Sequence, residues 1–369
     1  MEDWERKHYL CDKMTKVTFA RTQDQFSTVL RKEIDEYFRA NKISKAGNWK
    51  LWSKAIIIMV SMISLYYILV FQTPVWYLSI PMCILAGINL AAIGFNIMHD
   101  GCHGTFSEHK WLNRLVGYSL DVMGGSSNFW KIKHNVAHHT FTNIEGHDED
   151  IDIRPFIRLN SQQKLSGYHR FQMYYWPILY SLTYVWWVCI RDFKKYFEGK
   201  VATTPIPKMT FLDHFEFWFG KLVYAFIFIY VPLQYVSVSQ YFIGYGIALG
   251  TTGITLGLVF QMAHAIQGLD FPEPDPETLK IENVWFVHQL NTTSNFATKS
   301  RFWNWFTGGL NYQVEHHLFT HTSHIHYPAL SKIVKRLCAQ FNIRYNEQPT
   351  FRSAFLSHMR HLDYMGKHQ

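Results

Sequence analysis

Apolar positions gather in four long runs separated by long polar segments: 55–71 ("AIIIMVSMISLYYILVF"), 75–98, about 217–238 and about 241–263. A hydrocarbon core about 30 Å thick needs roughly 20 apolar residues as helix. The first run is short, and Leu51 and Trp52 extend it. Lys221, near the start of the third, has a stem long enough to snorkel to the interface. The runs pair into two hairpins through very short turns, "QTP" (72–74) and roughly "SQ" (239–240). Apart from Lys221, no lysine or arginine falls in the runs or turns. The basic residues lie in 1–54, 99–216 and 265–369, which the positive-inside rule places together on the cytoplasmic side. The pattern predicts an all-α integral membrane protein, with four transmembrane helices in two hairpins and a helical cytosolic cap. The expected divisions are a cytosolic amphipathic segment (1–53), hairpin one (54–98), cap (99–216), hairpin two (217–264) and cap (265–369). Both termini are then cytoplasmic.

A fifth apolar stretch, 174–190 ("YYWPILYSLTYVWWVCI"), complicates the count. A fifth crossing would put residues on either side of it in opposite compartments, so it is expected to be an interfacial or half-inserted helix. Residues 22–40 place Phe26, Val29, Leu30, Ile34, Tyr37 and Phe38 on one helical face. They predict an amphipathic helix on the membrane surface or on the cap. The proline-rich, acidic "FPEPDPE" (271–277) predicts an exposed loop.

Composition changes the picture in three ways. The mean hydropathy of −0.10 looks too polar for a membrane protein only because it averages apolar runs with polar segments. The net charge of +8 is dispersed, which suits a face beside anionic lipid and not nucleic-acid binding. The five cysteines (11, 83, 102, 189, 338) show no paired spacing. The start, "MEDWERKHYL", does not read as a signal peptide. The 20 histidines are the chemically informative excess.

Three clusters stand out: His99-Asp-Gly-Cys-His103, His134-Asn-Val-Ala-His138-His139, and Gln313-Val-Glu-His316-His317. On an α-helix, residues four apart share a face, so His99/His103 and His134/His138 are each expected to pinch one metal. His139, about 100° further round, is expected to reach a second. Neutral imidazole suits iron, copper, zinc or nickel, and seven imidazoles exceed what one tetrahedral zinc needs. Two metals are the natural count. His264, ending the fourth run, and His288 are further candidate ligands; an ionisable group at a span end is a functional candidate by default. Gln313, Asp100, Asn135 and Asp152 are candidates for metal contact or for orienting the histidines. Asp148 and Asp150 share that acidic segment. His321, His324 and His326 read as surface or supporting groups. Lys131, Lys133, Arg154 and Arg158 are candidates for a substrate head group, and Trp130, Trp303 and Trp305 for an apolar wall.

HDGCH, HNVAHH and QVEHH, in this order around two apolar hairpins, resemble the membrane fatty-acid desaturase family from about residue 55 to 330. The opening Gln313 resembles the front-end, linoleoyl-CoA-desaturase-like branch, which inserts a double bond between an existing one and the carboxyl end. The resemblance implies two non-haem iron ions held by His99, His103, His134, His138, His139, His316 and His317, with His264 matching an extra histidine. It implies O2 as co-substrate, a fatty-acyl substrate and the bilayer as surroundings. The chain departs from many relatives in having no His-Pro-Gly-Gly motif of a fused haem cytochrome domain. A separate electron donor is therefore expected, such as ferredoxin or a cytochrome with its reductase. It also departs at Cys102 and Thr320, where the family often has Asn and Pro. Two alternatives remain: a hydroxylase or acetylenase on the same scaffold, and a metal-binding membrane transporter. Transporters usually set their ligands near the bilayer midplane, whereas these histidines gather at span ends.

Overall fold

The computed structural model describes residues 17–20 and 24–368. His8, Cys11 and the start of the expected 22–40 helix lie outside the described residues. Helix α1 (Gln25–Asn41) is started by Asp24, whose carboxylate accepts from Phe26 N and Ser27 N, a cap worth about 1 kcal/mol. Its four-residue stripe of Phe26, Leu30, Ile34 and Phe38 is buried in the cap against Leu330, Val334 and Leu337.

Four helices are long and apolar enough to cross a membrane: α2 (Trp49–Gln72), α3 (Trp76–His103) and, later in the chain, Phe211–Tyr235 and Val238–His264. The chain is an integral membrane protein. Trp76 and Phe242, 74% and 64% exposed, show the outward apolar face that lipid covers. Between the hairpins lie α4, formed by Ser127–Lys131 running on through Ile132–His138, and α5, a continuous helix over 172–198. The second hairpin is α6 (Phe211–Tyr235) and α7 (Val238–His264). The cap is completed by α8 (Trp285–Thr292), α9 (Gln313–Leu318), α10 (Tyr327–Gln340) and α11 (Phe351–Lys367). Among the described residues, sheet is limited to three two-stranded pairs.

The second turn differs from expectation. "SQ" (239–240) lies inside α7, because Ser237 and Gln240 form a reciprocal capping box that starts the helix at Val238, three residues earlier than the apolar run suggested. Likewise Thr210 and Asp213 start α6 at Phe211, six residues before the apolar run suggested. The two hairpins are joined through α3 and α7, which meet at Gly87. A Cβ there would lie 2.3 Å from the Ala248 carbonyl oxygen, and Thr252 Oγ1 donates to Gly87 O at 3.0 Å. Close backbone approach at small residues is how membrane helices gain contact without a hydrophobic driving force.

Helix α5 packs along α7, with Gly253 against the Tyr180 carbonyl. Its opposite stripe of Tyr174, Ile178, Leu182, Trp186 and Ile190 is exposed. Both ends are tied to the cap. Gln172 Nε2 donates to Leu362 O at 2.7 Å; at the other end Lys195 and Arg191 pair with Glu149. The helix therefore leaves and rejoins the same body.

Candidate metal centre

The histidines lie where α3 and α7 run into the cap. In α3 a π-helical turn, Gly94–Met98, closes with His99 N–H donating to Gly94 O; an ordinary α turn, His99–His103, follows. Both imidazoles are buried and lie on one face, with ring centroids 4.6 Å apart. Helix α4 does not stay α-helical. Its second half is a π turn in which His139 N–H donates to His134 O, five residues back. Such widened turns recur at functional sites.

His134 and His138 keep the expected closeness: their rings are stacked with centroids 5.1 Å apart, and they form a group with Asp150. Each ring also joins a larger set of histidines. His99, His103, His134 and His316 form one group whose ligand nitrogens all lie within 4.8 Å of one another, and His138, His264 and His317 form another. His139 is close to both His316 and His317, with centroids at 4.5 and 4.4 Å. The adjacent pair that ends α9 is thus divided, His316 to the first group and His317 to the second, because neighbours on a helix point about 100° apart.

The arrangement suits bound cations. His134 Nε2 lies 3.2 Å from His99 Nε2, 3.2 Å from His139 Nε2 and 3.4 Å from His316 Nε2. One ring N–H can serve only one of these three contacts, so the remaining lone pairs need a positive charge between them. In the second group, His138 Nε2, His317 Nε2 and both nitrogens of His264 are buried without a hydrogen-bond partner. Burial first, then repulsion from neighbouring imidazoles, holds His134, His139, His316 and His317 well below the usual histidine range. Burial therefore favours their neutral form, the one that binds metal.

The other ring nitrogens are oriented by the cap. His138 Nδ1 donates to the buried Asp148 carboxylate at 3.0 Å, and the carboxylate is itself held by Asn143 N and Asp150 N. Burial lowers the His138 affinity for protons, but Asp148 and Asp150 more than offset it. His317 Nδ1 donates to Gln289 Oε1 at 2.8 Å. Such partners fix tautomer and ring angle. On the first group's side, Asp150 Oδ2 lies 3.6 Å from His134 Nδ1 and pairs with Lys133. Asp100, 2% exposed, accepts from His324 Nδ1 at 2.9 Å and from Ser323 Oγ at 2.7 Å. Lys54 Nζ in turn donates to His324 Nε2 at 2.8 Å. Trp130 stacks on His134 at 4.4 Å, whereas Trp303 stacks on Phe351 and Trp305 is exposed.

Several expected site residues lie elsewhere. His288 is buried, but its ring packs on Phe19 and joins neither group; Gln289, one residue on, is the one that reaches the histidines. Asp152 pairs with Arg154 through both oxygens and leaves the orienting role to Asp148 and Asp150. Asn135 Nδ2 donates to Cys102 O at 3.0 Å, joining α4 to the end of α3. Of the four basic candidates, Lys133 is committed to Asp150 and Arg154 to Asp152 and Glu145. Arg158 is buried, its guanidinium bonded to the carbonyls of Ser161, Gln163, Met365 and His368. It is a strut for the C-terminal helix and not a head-group ligand. Lys131 is half-buried and makes no ion pair among the described residues. Gln313 is 1% exposed, lies beside His264 and has neither amide atom hydrogen-bonded in normal geometry. Lys54 and Gln289 carried no signal in the sequence that set them apart from other polar positions.

A sequence model of the fatty acid desaturase family matches residues 74–349. The chain is 35% identical over 343 residues to the sn-1 linoleoyl-lipid 6-desaturase of Synechocystis sp., an alignment covering 93% of this chain and 96% of that one. It is 34% identical over 363 residues to the acyl-lipid (8-3)-desaturase of Physcomitrium patens, covering 96% and 75%. With the acyl-lipid (8-3)-desaturase of Mortierella alpina it shares 30% over 348 residues, covering 92% and 78%.

Proposed function

The chain belongs to the fatty acid desaturase family and is a fatty-acyl desaturase, an oxidoreductase; from that premise we propose that it inserts a cis double bond between an existing one and the carboxyl end of a lipid-linked acyl chain. The names of the Synechocystis and Physcomitrium relatives support the lipid-linked substrate and the position near the carboxyl end. Two iron ions are the proposed cofactors. His99, His103, His134 and His316 would hold one, and His138, His264 and His317 the other, with His139 between them and Gln313 beside the second. The observation that carries this is the convergence of buried imidazole nitrogens, with His103 Nε2, His138 Nε2, His317 Nε2 and both nitrogens of His264 left without a partner.

A methylene has no acidic hydrogen, so general base catalysis cannot open the reaction. Iron with O2 would supply the oxidising power for removing two vicinal hydrogens, with two electrons from a separate donor and two protons accompanying formation of two waters. The chain's own residues do the rest. Asp148 and Gln289 hold His138 and His317 with their free nitrogens inward. Asp150 and the Asp100–His324–Lys54 chain back His134 and His99. The apolar packing around Trp130 keeps water from the reacting carbons.

The basic segments flanking the spans support a cytoplasmic site and cytoplasmic termini. On that reading 54–98 and 217–264 are the membrane hairpins, 1–53, 99–216 and 265–369 form the cap, and α5 lies at the interface. The test is expression in a host supplied with defined fatty acids, followed by mapping of new double bonds and by counting iron in anaerobically purified protein. New unsaturation on the carboxyl side and two irons per chain are expected. Hydroxylated lipid without new unsaturation, or one zinc and no iron, would overturn the reading.

A further inference from the structure

His316 stands where two arrangements compete. Its imidazole is close enough to join His99, His103 and His134, and also close enough to join His139 and His317. Its Nε2 lies 3.4 Å from His134 Nε2, on the side of the first group. Its Nδ1 lies 3.2 Å from the hydroxyl oxygen of Tyr327. The two nitrogens of an imidazole point away from each other, so the phenol holds the ring from behind while Nε2 faces inward. A neutral imidazole carries one N–H. If Nε2 keeps its lone pair for a metal, the proton sits on Nδ1, and Tyr327 Oη is its acceptor. The other backing groups on this side, Asp100 and Asp150, lie near His99 and His134. His316 has the phenol.

Tyr327 is itself held firmly. It is 3% exposed and opens α10, with Pro328 beside it at the start of the helix, where a missing N–H costs nothing. A single 3-10 turn, His324–His326, precedes it, and Tyr327 N–H donates to His324 O. Ser323 N ties the start of this turn to Lys45 O at 2.8 Å. The chain at Gly309 passes directly against both side chains: a Cβ there would lie 2.7 Å from His324 Cβ and 3.2 Å from Tyr327 Cδ2. One short turn therefore supports two ligands. His324 reaches Asp100, whose Oδ1 is 3.9 Å from His99 Nδ1, and Tyr327 reaches His316.

We infer that Tyr327 is a positioning residue of the metal centre: its phenol oxygen accepts from His316 Nδ1, fixes the tautomer and ring angle, and so assigns His316 to the first group and not to His139 and His317. This rests on the reading of the histidines as an iron centre and adds a residue to it. Removing a partner of this kind typically costs 10- to 100-fold in metal affinity. Phenylalanine at 327 keeps the ring and removes only the oxygen.

The test compares Tyr327→Phe and Tyr327→Leu with the unaltered protein, each purified anaerobically with its iron. Tyr327→Phe is expected to give up one of two irons to a chelator at least tenfold more readily, to alter one of two Mössbauer signals, and to unfold at the same temperature when iron is in excess. Tyr327→Leu should lose the same iron and also unfold earlier. Saturating ferrous iron should restore desaturation by Tyr327→Phe to within twofold, which it does not do for a damaged fold. If Tyr327→Phe holds both irons as the unaltered protein does, the ring only packs and the inference is overturned. A visible phenolate-to-iron band that Tyr327→Phe removes also overturns it, because Tyr327 is then a ligand. Should Tyr327→Phe fail to accumulate, 3-fluorotyrosine placed at 327 keeps the hydroxyl. Its fluorine resonance is expected to shift with ferrous iron and to return when zinc replaces it; a resonance indifferent to the metal overturns the inference. Unaltered protein without iron removes the iron-centre reading itself, whereas two irons held equally by the Tyr and Phe forms remove the role of Tyr327 alone.

Discussion

The two histidine groups are built differently. The first has four imidazoles, and its charged backing is drawn from distant parts of the chain: Asp100 with His324 and Lys54, and Asp150 with Lys133. The second has three imidazoles and an unpartnered amide, Gln313, and its backing is local: Asp148 and the shared Asp150, ten and twelve residues from His138, and the neutral Gln289. The first group therefore depends on the whole cap being assembled. The second depends on one loop and one helix, and its donor set is poorer in strong ligands.

The largest effect is expected where a first-group ligand is removed. His316→Ala should abolish desaturation, more than a hundredfold by product analysis, while the amount in the membrane stays unchanged. Activity within tenfold of the unaltered protein would remove His316 from the centre. Next is His324→Leu, which strands the Asp100 and Lys54 charges in the interior. Breaking one partner of a buried charged pair costs roughly 3–5 kcal/mol, read here as faster thermal inactivation in detergent. A variant as stable as the parent would show that the chain from Lys54 to Asp100 does not hold the first group.

Asp148→Asn acts first on the second group, through His138. It keeps the shape but weakens the acceptor for His138 Nδ1, and loss of such a partner typically costs 10- to 100-fold in metal affinity. Chelator competition should show one of two irons leaving more readily; equal loss of both would erase the distinction between the groups. The smallest change is expected from Gln313→His, which adds an imidazole where the amide stands. Iron should be retained and activity altered by less than tenfold, and complete loss of iron would contradict a peripheral role for Gln313.

How far the site was legible depended on sequence distance. His99 and His103 lie one α turn apart, and they share a group as that spacing requires. His134 and His138 have the same spacing and also stay together, beside Asp150, but each joins a different set of histidines as well, and nothing in "IKHNVAH" announces the π turn that places them. The acidic segment after the second cluster was visible as a source of orienting carboxylates. Which of its aspartates face inward was not, since Asp152 turns to Arg154 only two residues away. His288 and Gln289 show the same limit: two neighbours on one buried helix, of which the conspicuous residue is idle and the ordinary one holds His317.

The chain by itself determined its membrane character, its four spans and the inventory of imidazoles, because apolar run length and helical spacing are properties of neighbours in sequence. Tertiary structure alone decided which imidazoles share a metal position and which charges back them. Those features are assembled from α3, α4, α7 and α9: α3 meets α7 at Gly87, and the histidines of α4 are placed by its widened turn. A shift of one residue in the bonding of that turn changes where every later side chain points, and local spacing carries no record of it.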